Sequence, residues 1–307
     1  MNSIIRPKRS WQRVDGVLLL DKAGGMTSNS ALQSARRLFS AAKAGHTGTL
    51  DPLATGLLPL CFGEATKFSA DLLDADKTYE AQLLFGITTD TGDAQGTVLS
   101  ERPVCFARAD LDGALQGFFG QISQVPPMYS ALKRDGKPLY QLARQGIEVV
   151  REARAVTIRE LTLLDFTGDR CRLRVACSKG TYIRTLAEDL GEVLGCGAHL
   201  TALRRVAVGP LEIADAVSLD QLIELSEAQR TSLLLAPDAL LQTLPAIHLD
   251  DESAQRFMHG NPVPVPPGDD SPVGAGKRRV YGASRLLGLG ETDGEGLVKP
   301  RRLVCSA

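Results

Sequence analysis

The sequence has few of the patterns that bind metals or nucleotide cofactors. Six cysteines are scattered along 307 residues without a CxxC pair, and the four histidines do not fall at the spacing of zinc ligands. We therefore expect reduced thiols and no metal. The chain also lacks a G-x-x-x-x-G-K-[ST] loop, a G-x-G-x-x-G turn and a G-x-S-x-G elbow. These absences argue against nucleotide cofactors and serine hydrolase chemistry.

Long apolar runs and an excess of charge are also missing. The N-terminal segment MNSIIRPKRSWQRVDG has no apolar core of signal-peptide length, and no stretch approaches the roughly 18 apolar residues of a membrane span. The sequence therefore predicts a cytoplasmic protein without a membrane partner. A net charge of −1 gives no indication of a nucleic-acid partner, which a strongly basic chain would give.

The charges that are present are unevenly distributed. Residues 133–154 hold six basic and three acidic side chains, residues 277–302 hold seven and three, and residues 211–240 hold one and six. This pattern favours basic faces for a polyanion, although ordinary solvated surface gives similar clusters. A length of 307 residues with 43% hydrophobic content predicts about two domains with a substantial core.

Local patterns predict alternating strands and helices in the first part of the chain. An apolar strand, Val17–Leu20, leads into a glycine-rich turn, and Thr27 or Ser28 caps an amphipathic helix. The segment TYEAQLLFG, residues 78–86, alternates as a strand does, and we expect it to form a hairpin with Thr97–Leu99.

The amino-acid composition changes twice in the second half of the chain. Near Gln124 a surface excursion begins, rich in proline, aromatic and basic residues, with one short helix around 139–144. An alternating strand and an amphipathic helix follow over residues 172–195. Near residue 245 the composition changes again, and a proline- and glycine-rich interruption, NPVPVPPGDDSPVGAG, follows at residues 261–276. We place a domain boundary at about 245–250, before a small β domain with a hairpin in RRVYGASRLLGLGE.

One acidic residue, Asp51, lies in an unusual segment, AGHTGTLDPLATGLLPLCFGEATK, residues 44–67. Asp followed by Pro is typical of a helix start, with Asp51 capping free backbone N–H groups. A lone carboxylate also serves as a nucleophile at sugar carbons when it stays ionised beside a cation. The dipeptide alone leaves both interpretations open.

Several segments carry a family resemblance. GHTGTLDPLATGLLPL resembles the signature motif of the TruB family of tRNA pseudouridine synthases, and similar segments follow in family order over residues 14–210: LLLDKAGGMTS, KTYEAQLLFG, TDTGDAQG, PPMYSALKRDGKPLYQLARQG, SKGTYIRTLAEDLG and LTALRR. The likeness is weaker toward the C-terminus. Family members generally have proline where this chain has Ala23, which affects one turn and no expected catalytic group.

The resemblance implies a fold, a domain division and an activity. The expected fold class is α+β, with a central, largely antiparallel mixed sheet flanked by helices and loops, and a small C-terminal PUA-like β-barrel. Residues 1–247 would form the catalytic domain, with an RNA-clamping insertion at about 124–152, and residues 248–307 an RNA-binding domain. The implied reaction converts the T-loop uridine at tRNA position 55 to pseudouridine by base flipping, without cofactor or metal. The implied partner is the T-arm stem-loop of tRNA, bound by a monomer.

The resemblance also assigns roles to residues. Asp51 matches the catalytic aspartate, which attacks the ribose or assists formation of a glycal, and Arg184 matches the arginine that pairs with it. Tyr79 matches the tyrosine that stacks on the uracil and acts as a base. Tyr182 and Leu203 match further residues lining the substrate pocket.

The remaining matches concern RNA binding. His46 matches the residue that stacks in the gap left by the flipped nucleotide. The six expected phosphate contacts lie in the insertion and in the C-terminal domain; they are Lys133, Arg134, Lys137, Lys277, Arg278 and Arg279.

Simpler interpretations remain for these residues. Without the family match, Tyr79 and Leu203 would be core residues and Arg184 a solvated helix arginine. Asp90 and Asp93 are expected to form turns and to take no part in the chemistry. Two other functions stay open: a tRNA-binding or tRNA-folding chaperone with incidental isomerase activity, and another acid-dependent glycosyl enzyme such as a base-exchange transferase or hydrolase.

Overall fold

The computed structural model describes residues 10–134, 136–266, 274–283, 285–294 and 296–305. Asp135, within the predicted surface excursion, and residues 267–273 of the predicted proline- and glycine-rich interruption lie outside these ranges. In the described part of the chain, no helix combines the length and the apolar character needed to cross a membrane.

The described residues form two main sheets with helices around them. In chain order the strands are β1 (Gly16–Lys22), β2 (Ala44–His46), β3 (Thr55–Phe62), β4 (Lys77–Phe85), β5 (Ile87–Thr89), β6 (Val98–Glu101), β7 (Gly120–Gln124), β8 (Lys133–Arg134), β9 (Lys137–Pro138), β10 (Arg154–Thr167), β11 (Arg170–Cys177), β12 (Ala198–Val208), β13 (Leu211–Glu212), β14 (Val217–Ser218), β15 (Ala246–Leu249), β16 (Val263–Pro264), β17 (Gly276–Gly282), β18 (Arg285–Thr292) and β19 (Leu297–Leu303). The helices are α1 (Ser28–Leu38), α2 (Ser69–Leu73), α3 (Arg108–Gln116), α4 (Leu139–Ala143), α5 (Ile183–Val193), α6 (Leu219–Glu224), α7 (Glu227–Ser232) and α8 (Asp251–Met258).

The large sheet is mixed but mainly antiparallel. Its order is β14-β1-β3-β12-β4-β11-β10-β7, with β2 paired to β3 and β13 paired to β12. Only the β1–β14 and β3–β12 pairs are parallel among these described strands. The central strands β3, β12 and β4 therefore hold side chains from distant parts of the sequence next to each other.

Strand β1 shows why the centre of this sheet is apolar on both faces. Leu18 and Leu20 belong to a core cluster with α1 and α5, whereas Val17 and Leu19 pack in a second cluster on the opposite face. Because both faces are covered, the strand is a continuous apolar run without polar alternation.

Two predicted helices are confirmed. Thr27 caps α1 by accepting a hydrogen bond from the Ser30 N–H at 3.0 Å, as Ser and Thr do at helix starts. Helix α5 places Ile183, Leu186 and Leu190 in the main core. Its apolar stripe fixes the helix on the sheet, which sets the direction of the side chains in its first turn.

Two local predictions are wrong. No helix begins at Asp51: residues 51–54 form a single turn, closed by the Ala54 N–H donating to the Asp51 carbonyl at 3.1 Å, and β3 follows at once. The strand at 78–86 does not form the expected hairpin either. Both edges of β4 are already occupied, by β11 and β12, so β6 pairs instead with the short strand β5 beyond Gly86.

The five-stranded sheet has the order β15-β17-β18-β19-β16. Its β17–β18 pair is the hairpin predicted from the sequence, which is confirmed. Leu289 of this sheet packs in the second core cluster with Leu57 and Leu241, so the small sheet rests on the large one. The small sheet starts at Ala246, close to the expected boundary, and the division into two domains stays a prediction.

Candidate active site

Asp51 and Arg184 meet at one edge of the large sheet. Asp51 lies in the turn between β2 and β3, and Arg184 is the second residue of α5. Arg184 Nη2 lies 3.0 Å from Asp51 Oδ2, with side-chain exposures of 5% for the arginine and 42% for the aspartate. A buried cation therefore holds one side of a carboxylate whose other side is open to solvent.

The Arg184 guanidinium is fixed by further acceptors from separate segments. Nη1 donates to the Thr91 carbonyl at 2.9 Å and Nη2 to the Tyr129 carbonyl at 2.7 Å. Nε lies 3.8 Å from Asp93 Oδ2. This planar fork of donors fits several acceptors at once, which a lysine ammonium does not do.

Asp90 and Asp93 form turns, as predicted. Asp90 accepts from the Thr97 N–H at 2.7 Å, and Asp93 accepts from the Thr91 hydroxyl and the Gln95 N–H. Asp93 differs from Asp90 because its second oxygen faces Arg184. The turn pattern in the sequence did not predict the contact between Asp93 and Arg184, because Arg184 lies on the distant helix α5.

The turn that carries Asp51 is held tightly against the sheet. The Gly25 N–H donates to the Pro52 carbonyl at 2.8 Å. Gly56, with φ of +99°, lets β3 approach β12 so closely that a Cβ there would lie 2.3 Å from the Arg205 carbonyl oxygen. A side chain at this position would push the two strands apart next to the site.

The predicted pocket residues lie on β4, β12 and the start of α5. Tyr79 is half-buried and pairs with Arg205 across the β4–β12 ladder, while Leu203 pairs with Ala81 and is 9% exposed. Burial raises the pKa of Tyr79 and of Tyr182, and the negative charge of Asp51 adds to both increases. Both hydroxyls are therefore neutral near pH 7.

His46 ends β2, opposite Leu60 of β3. Its Nδ1 atom is buried and has no hydrogen-bond partner among the described residues. Burial and the nearby Arg205 charge lower the pKa of His46, so the ring is neutral near pH 7. A neutral, half-buried ring is better suited to stacking than to a charged contact.

Two cations near the Asp51 turn are buried, which the sequence did not predict. From its place at the end of a strand, Lys22 was expected either to face a phosphate or to be exposed to solvent. Lys22 is fully buried and donates to the backbone carbonyls of Ala23 and Met26, so neither solvent nor phosphate reaches it here. Burial lowers the pKa of Lys22 to about 8, against the opposing effect of Asp51. No sequence pattern distinguishes such a lysine from an exposed one at a strand end.

Arg205 is 1% exposed and links β3 to the segment that precedes it. Its Nε donates to the Leu57 carbonyl at 2.7 Å and its Nη2 to the Gly48 carbonyl at 3.2 Å. Side chains alternate between the two faces of a strand, so Arg205 shares a face of β12 with Leu203. This alternation could have predicted that Arg205 is buried.

The predicted phosphate contacts of the insertion lie on a small hairpin. Lys133 pairs with Pro138 and Arg134 with Lys137, and all three cationic side chains are exposed. Arg134 also donates to the Val150 carbonyl at 2.9 Å. This hairpin can therefore present positive charge to a polyanion.

The C-terminal cations have partners inside the protein. Lys277 Nζ lies 2.5 Å from Asp71 Oδ1, a carboxylate whose side chain is 7% exposed. Arg278 is buried and donates to backbone carbonyls, and Arg279 donates to Gln242 Oε1 at 3.0 Å. Their role as phosphate contacts stays a prediction.

A solvent-open carboxylate with a fixed guanidinium, two phenols and an apolar wall is the kind of site that attacks or stabilises a sugar carbon bearing a base. Models of pseudouridine synthase domains match the chain along most of its length. They are the TruB family pseudouridylate synthase N-terminal domain over residues 36–183, the tRNA pseudouridylate synthase B C-terminal domain over 184–244, and the pseudouridine synthase II TruB C-terminal domain over 245–304.

Curated relatives agree with the family models. The chain is 63% identical over 297 residues to tRNA pseudouridine synthase B of Dechloromonas aromatica, covering 97% of this chain and 98% of the relative. It is 57% identical over 303 residues to the protein of the same name from Burkholderia lata, covering 98% and 94%. The chain belongs to the TruB family of pseudouridine synthases, which confirms the family predicted from the sequence.

Solved structures share the fold. A Cbf5-Nop10-Gar1 complex contains a chain with a TM-score of 0.72 at 24% identity, covering 98% of this chain and 90% of that one. An H/ACA ribonucleoprotein bound to a substrate RNA containing 2′-deoxyuridine gives a TM-score of 0.71 at 22% identity, covering 95% and 85%. The predicted fold class, with its mixed sheet and C-terminal PUA-like sheet, is confirmed.

Proposed function

We propose that this protein converts the T-loop uridine at position 55 of tRNA to pseudouridine, with Asp51 as the catalytic nucleophile. The observation that carries the proposal is the Asp51–Arg184 pair, 3.0 Å apart, with the arginine buried and the aspartate open on one side. Membership of the TruB family and relatives named tRNA pseudouridine synthase B support the choice of substrate.

Asp51 and Arg184 act together in the chemical step. The guanidinium keeps the carboxylate ionised when the target nucleotide displaces water, because a nearby cation favours the charged form of an acid. The bond between N1 of uracil and C1′ of ribose breaks, by attack of Asp51 on C1′ or through a glycal. The freed uracil turns, and its C5 bonds to C1′, so that the product has the same atoms as the substrate.

Tyr79, Tyr182 and Leu203 form the surface that holds the uracil during this turn. Tyr79 stacks on the base and takes the proton that C5 loses when the new bond forms. Burial raises the pKa of Tyr79, so the phenol is neutral before the reaction and has a proton to give. The hydroxyl gives this proton to N1 of the detached uracil, and the resulting phenolate takes the proton from C5, so Tyr79 ends as it began. Leu203 and Tyr182 exclude water from the detached uracil.

RNA binding is divided between the turn and the insertion. His46 fills the gap left by the flipped nucleotide, which offsets part of the unstacking cost of a few kcal/mol. Lys133, Arg134 and Lys137 contact phosphates of the T-arm. Residues 1–247 act as the catalytic domain, and the C-terminal domain, 248–307, adds weaker contacts through Lys277, Arg278 and Arg279. The protein works in the cytoplasm as a monomer, without metal or cofactor.

The product identifies the reaction. A T-arm stem-loop RNA is incubated with the protein, digested to nucleosides and separated by chromatography, and the modified position is mapped. We expect one pseudouridine per RNA, at the position-55 uridine, and no free uracil. Free uracil would indicate a hydrolase. Tight RNA binding with unmodified uridine would instead indicate an RNA-folding protein.

A further inference from the structure

A buried serine holds the backbone just before Asp51. Ser28, the first residue of α1, is 2% exposed. Its hydroxyl oxygen accepts from the Leu50 N–H at 2.8 Å, and the hydroxyl donates to the Leu50 carbonyl at 2.9 Å. Leu50 itself is 3% exposed, so these backbone groups need a protein partner, and Ser28 satisfies both.

A buried glutamine holds the backbone just before Arg184 in the same way. Gln124, the last residue of β7, is 2% exposed. Its Oε1 accepts from the Tyr182 N–H at 3.0 Å, and its Nε2 donates to the Tyr182 carbonyl at 3.3 Å. Tyr182 is extended, with φ −104° and ψ 110°, and α5 has no side-chain cap of its own there.

We propose that Ser28 and Gln124 are positioning residues that fix the distance between Asp51 and Arg184. Each side chain engages both the N–H and the carbonyl of one residue, immediately before Asp51 in one case and two residues before Arg184 in the other. The inference rests on the proposed function, because it assigns these contacts to the alignment of the proposed nucleophile and its partner.

The two contacts anchor the pair to different parts of the fold. Ser28 ties the Asp51 turn to α1, whereas Gln124 ties the start of α5 to β7. Gln124 is also where the insertion begins, and Tyr129 within the insertion accepts a hydrogen bond from Arg184. A shift of about 1 Å in such a pair costs up to about 100-fold in rate, since the reacting groups lose their alignment.

Ser28→Ala tests the first contact. It leaves the Leu50 N–H and carbonyl without their buried partner, so the turn shifts and the single-turnover rate constant at saturating RNA falls about 10- to 100-fold. RNA affinity stays at the wild-type level, because the cationic hairpin is untouched. Ser30→Ala, an exposed change in the same helix, is the matched control and keeps the wild-type rate.

Gln124→Met tests the second contact. Methionine fills nearly the same volume but makes neither hydrogen bond, so the rate constant falls by a similar factor of about 10 to 100. Gln121→Met on the exposed face of β7 is its control. Circular dichroism melting shows whether each variant is folded at the assay temperature, and Ser28→Cys, with a weaker hydrogen-bonding group, replaces Ser28→Ala if that variant unfolds.

General destabilisation is separated from positioning by Val280→Ala. Val280 is fully buried in the five-stranded sheet, so this variant loses stability without contact with the site and keeps the wild-type rate constant. A wild-type rate constant in Ser28→Ala or Gln124→Met, or a loss in Val280→Ala equal to theirs, overturns the inference. If Asp51→Asn remains active, the proposed function of Asp51 fails instead, whatever the result for Ser28 and Gln124.

Discussion

Arg184 and the cations of the insertion carry the same charge in opposite environments. Arg184 is 5% exposed and is held by Asp51 and by two backbone carbonyls. Lys133, Arg134 and Lys137 lie exposed on a two-stranded hairpin, and no ion pair involving them occurs within the described part of the chain.

This contrast separates chemistry from binding. A buried charge fixed by several partners cannot move to a phosphate without a large cost, so it is suited to orienting a neighbouring group. Exposed charges lose little when they exchange water and counterions for phosphate, and their contributions accumulate over several contacts. We therefore expect variants of the buried pair to affect rate, and variants of the hairpin to affect affinity.

The largest effect should come from Asp51→Asn. The amide has the same size and can still accept from Arg184, so the protein folds and binds RNA, but an amide does not attack a sugar carbon. Pseudouridine formation, measured by tritium release from C5-labelled uridine, should fall below detection. Asp90→Asn, in a turn that needs only an acceptor, is the control and stays active. Appreciable product from Asp51→Asn would remove the nucleophile assignment.

Arg184→Lys should be nearly as damaging although it keeps the charge. An ammonium does not reach Asp51, Thr91 O and Tyr129 O together, so the rate constant falls on the order of 100-fold. Single-turnover kinetics at saturating RNA measures this loss. Arg174→Lys, at a half-buried arginine on β11 that pairs with Glu80 and Glu160, should behave as wild type. Near-normal activity of Arg184→Lys would show that this arginine does not orient the carboxylate.

Changing Lys133, Arg134 and Lys137 together to Ala should weaken RNA binding and leave the chemical step intact. Each lost phosphate contact lowers the log-log salt slope of binding by about 0.7 to 0.9. Filter binding at several salt concentrations gives the slope, and Arg108→Ala, on α3, is the control. A lower rate constant at saturation with unchanged affinity would place these side chains in catalysis.

His46→Ala should lose about 1 to 3 kcal/mol of transition-state stabilisation, the usual value of a stack between a base and an aromatic ring. His46→Phe keeps the flat surface and should retain much more activity. Because burial and the Arg205 charge lower the pKa of folded His46, the neutral ring predominates above pH 6.5. Neither variant should change the pH–rate profile between pH 6 and 8. Equal damage by Ala and Phe would indicate a hydrogen-bonding or proton-transfer role.

The smallest effect is expected for Lys277→Ala. Lys277 already pairs with Asp71, so binding phosphate requires the lysine to leave a mostly buried carboxylate. Its loss should change RNA affinity less than the loss of Lys133 alone, in the same filter-binding assay. A larger effect than that of Lys133→Ala would show that the C-terminal domain contributes more to binding than the insertion does.

Much of this architecture was predictable from patterns within single segments. The apolar run at Val17–Leu20, the Thr27 cap and the period of α5 each depend on local physics, and the structure contains the elements they predict. The Asp51-Pro52 signal failed because the next residues pair with β1 and β12 as strand β3, and this tertiary pairing outweighs a local helix-start preference.

The contacts that complete the site were not predictable in this way. Asp93 meets Arg184 and Arg205 reaches the Gly48 carbonyl only because β12 and α5 bring remote segments together. The burial of Lys22 likewise depends on which elements cover the end of β1. Residue types within one segment carry no information about such contacts, so the resemblance predicted that Asp51 and Arg184 would pair but not which other groups hold them.

The salt dependence of the wild-type protein tests the central claim most directly. RNA affinity and the single-turnover rate constant at saturating RNA are measured over the same range of salt concentration. If exposed cations bind and the buried pair reacts, affinity falls steeply with salt, whereas the rate constant of the saturated complex stays constant, because salt screens exposed charges and hardly affects buried ones. A rate constant that falls with salt as steeply as the affinity would contradict this division.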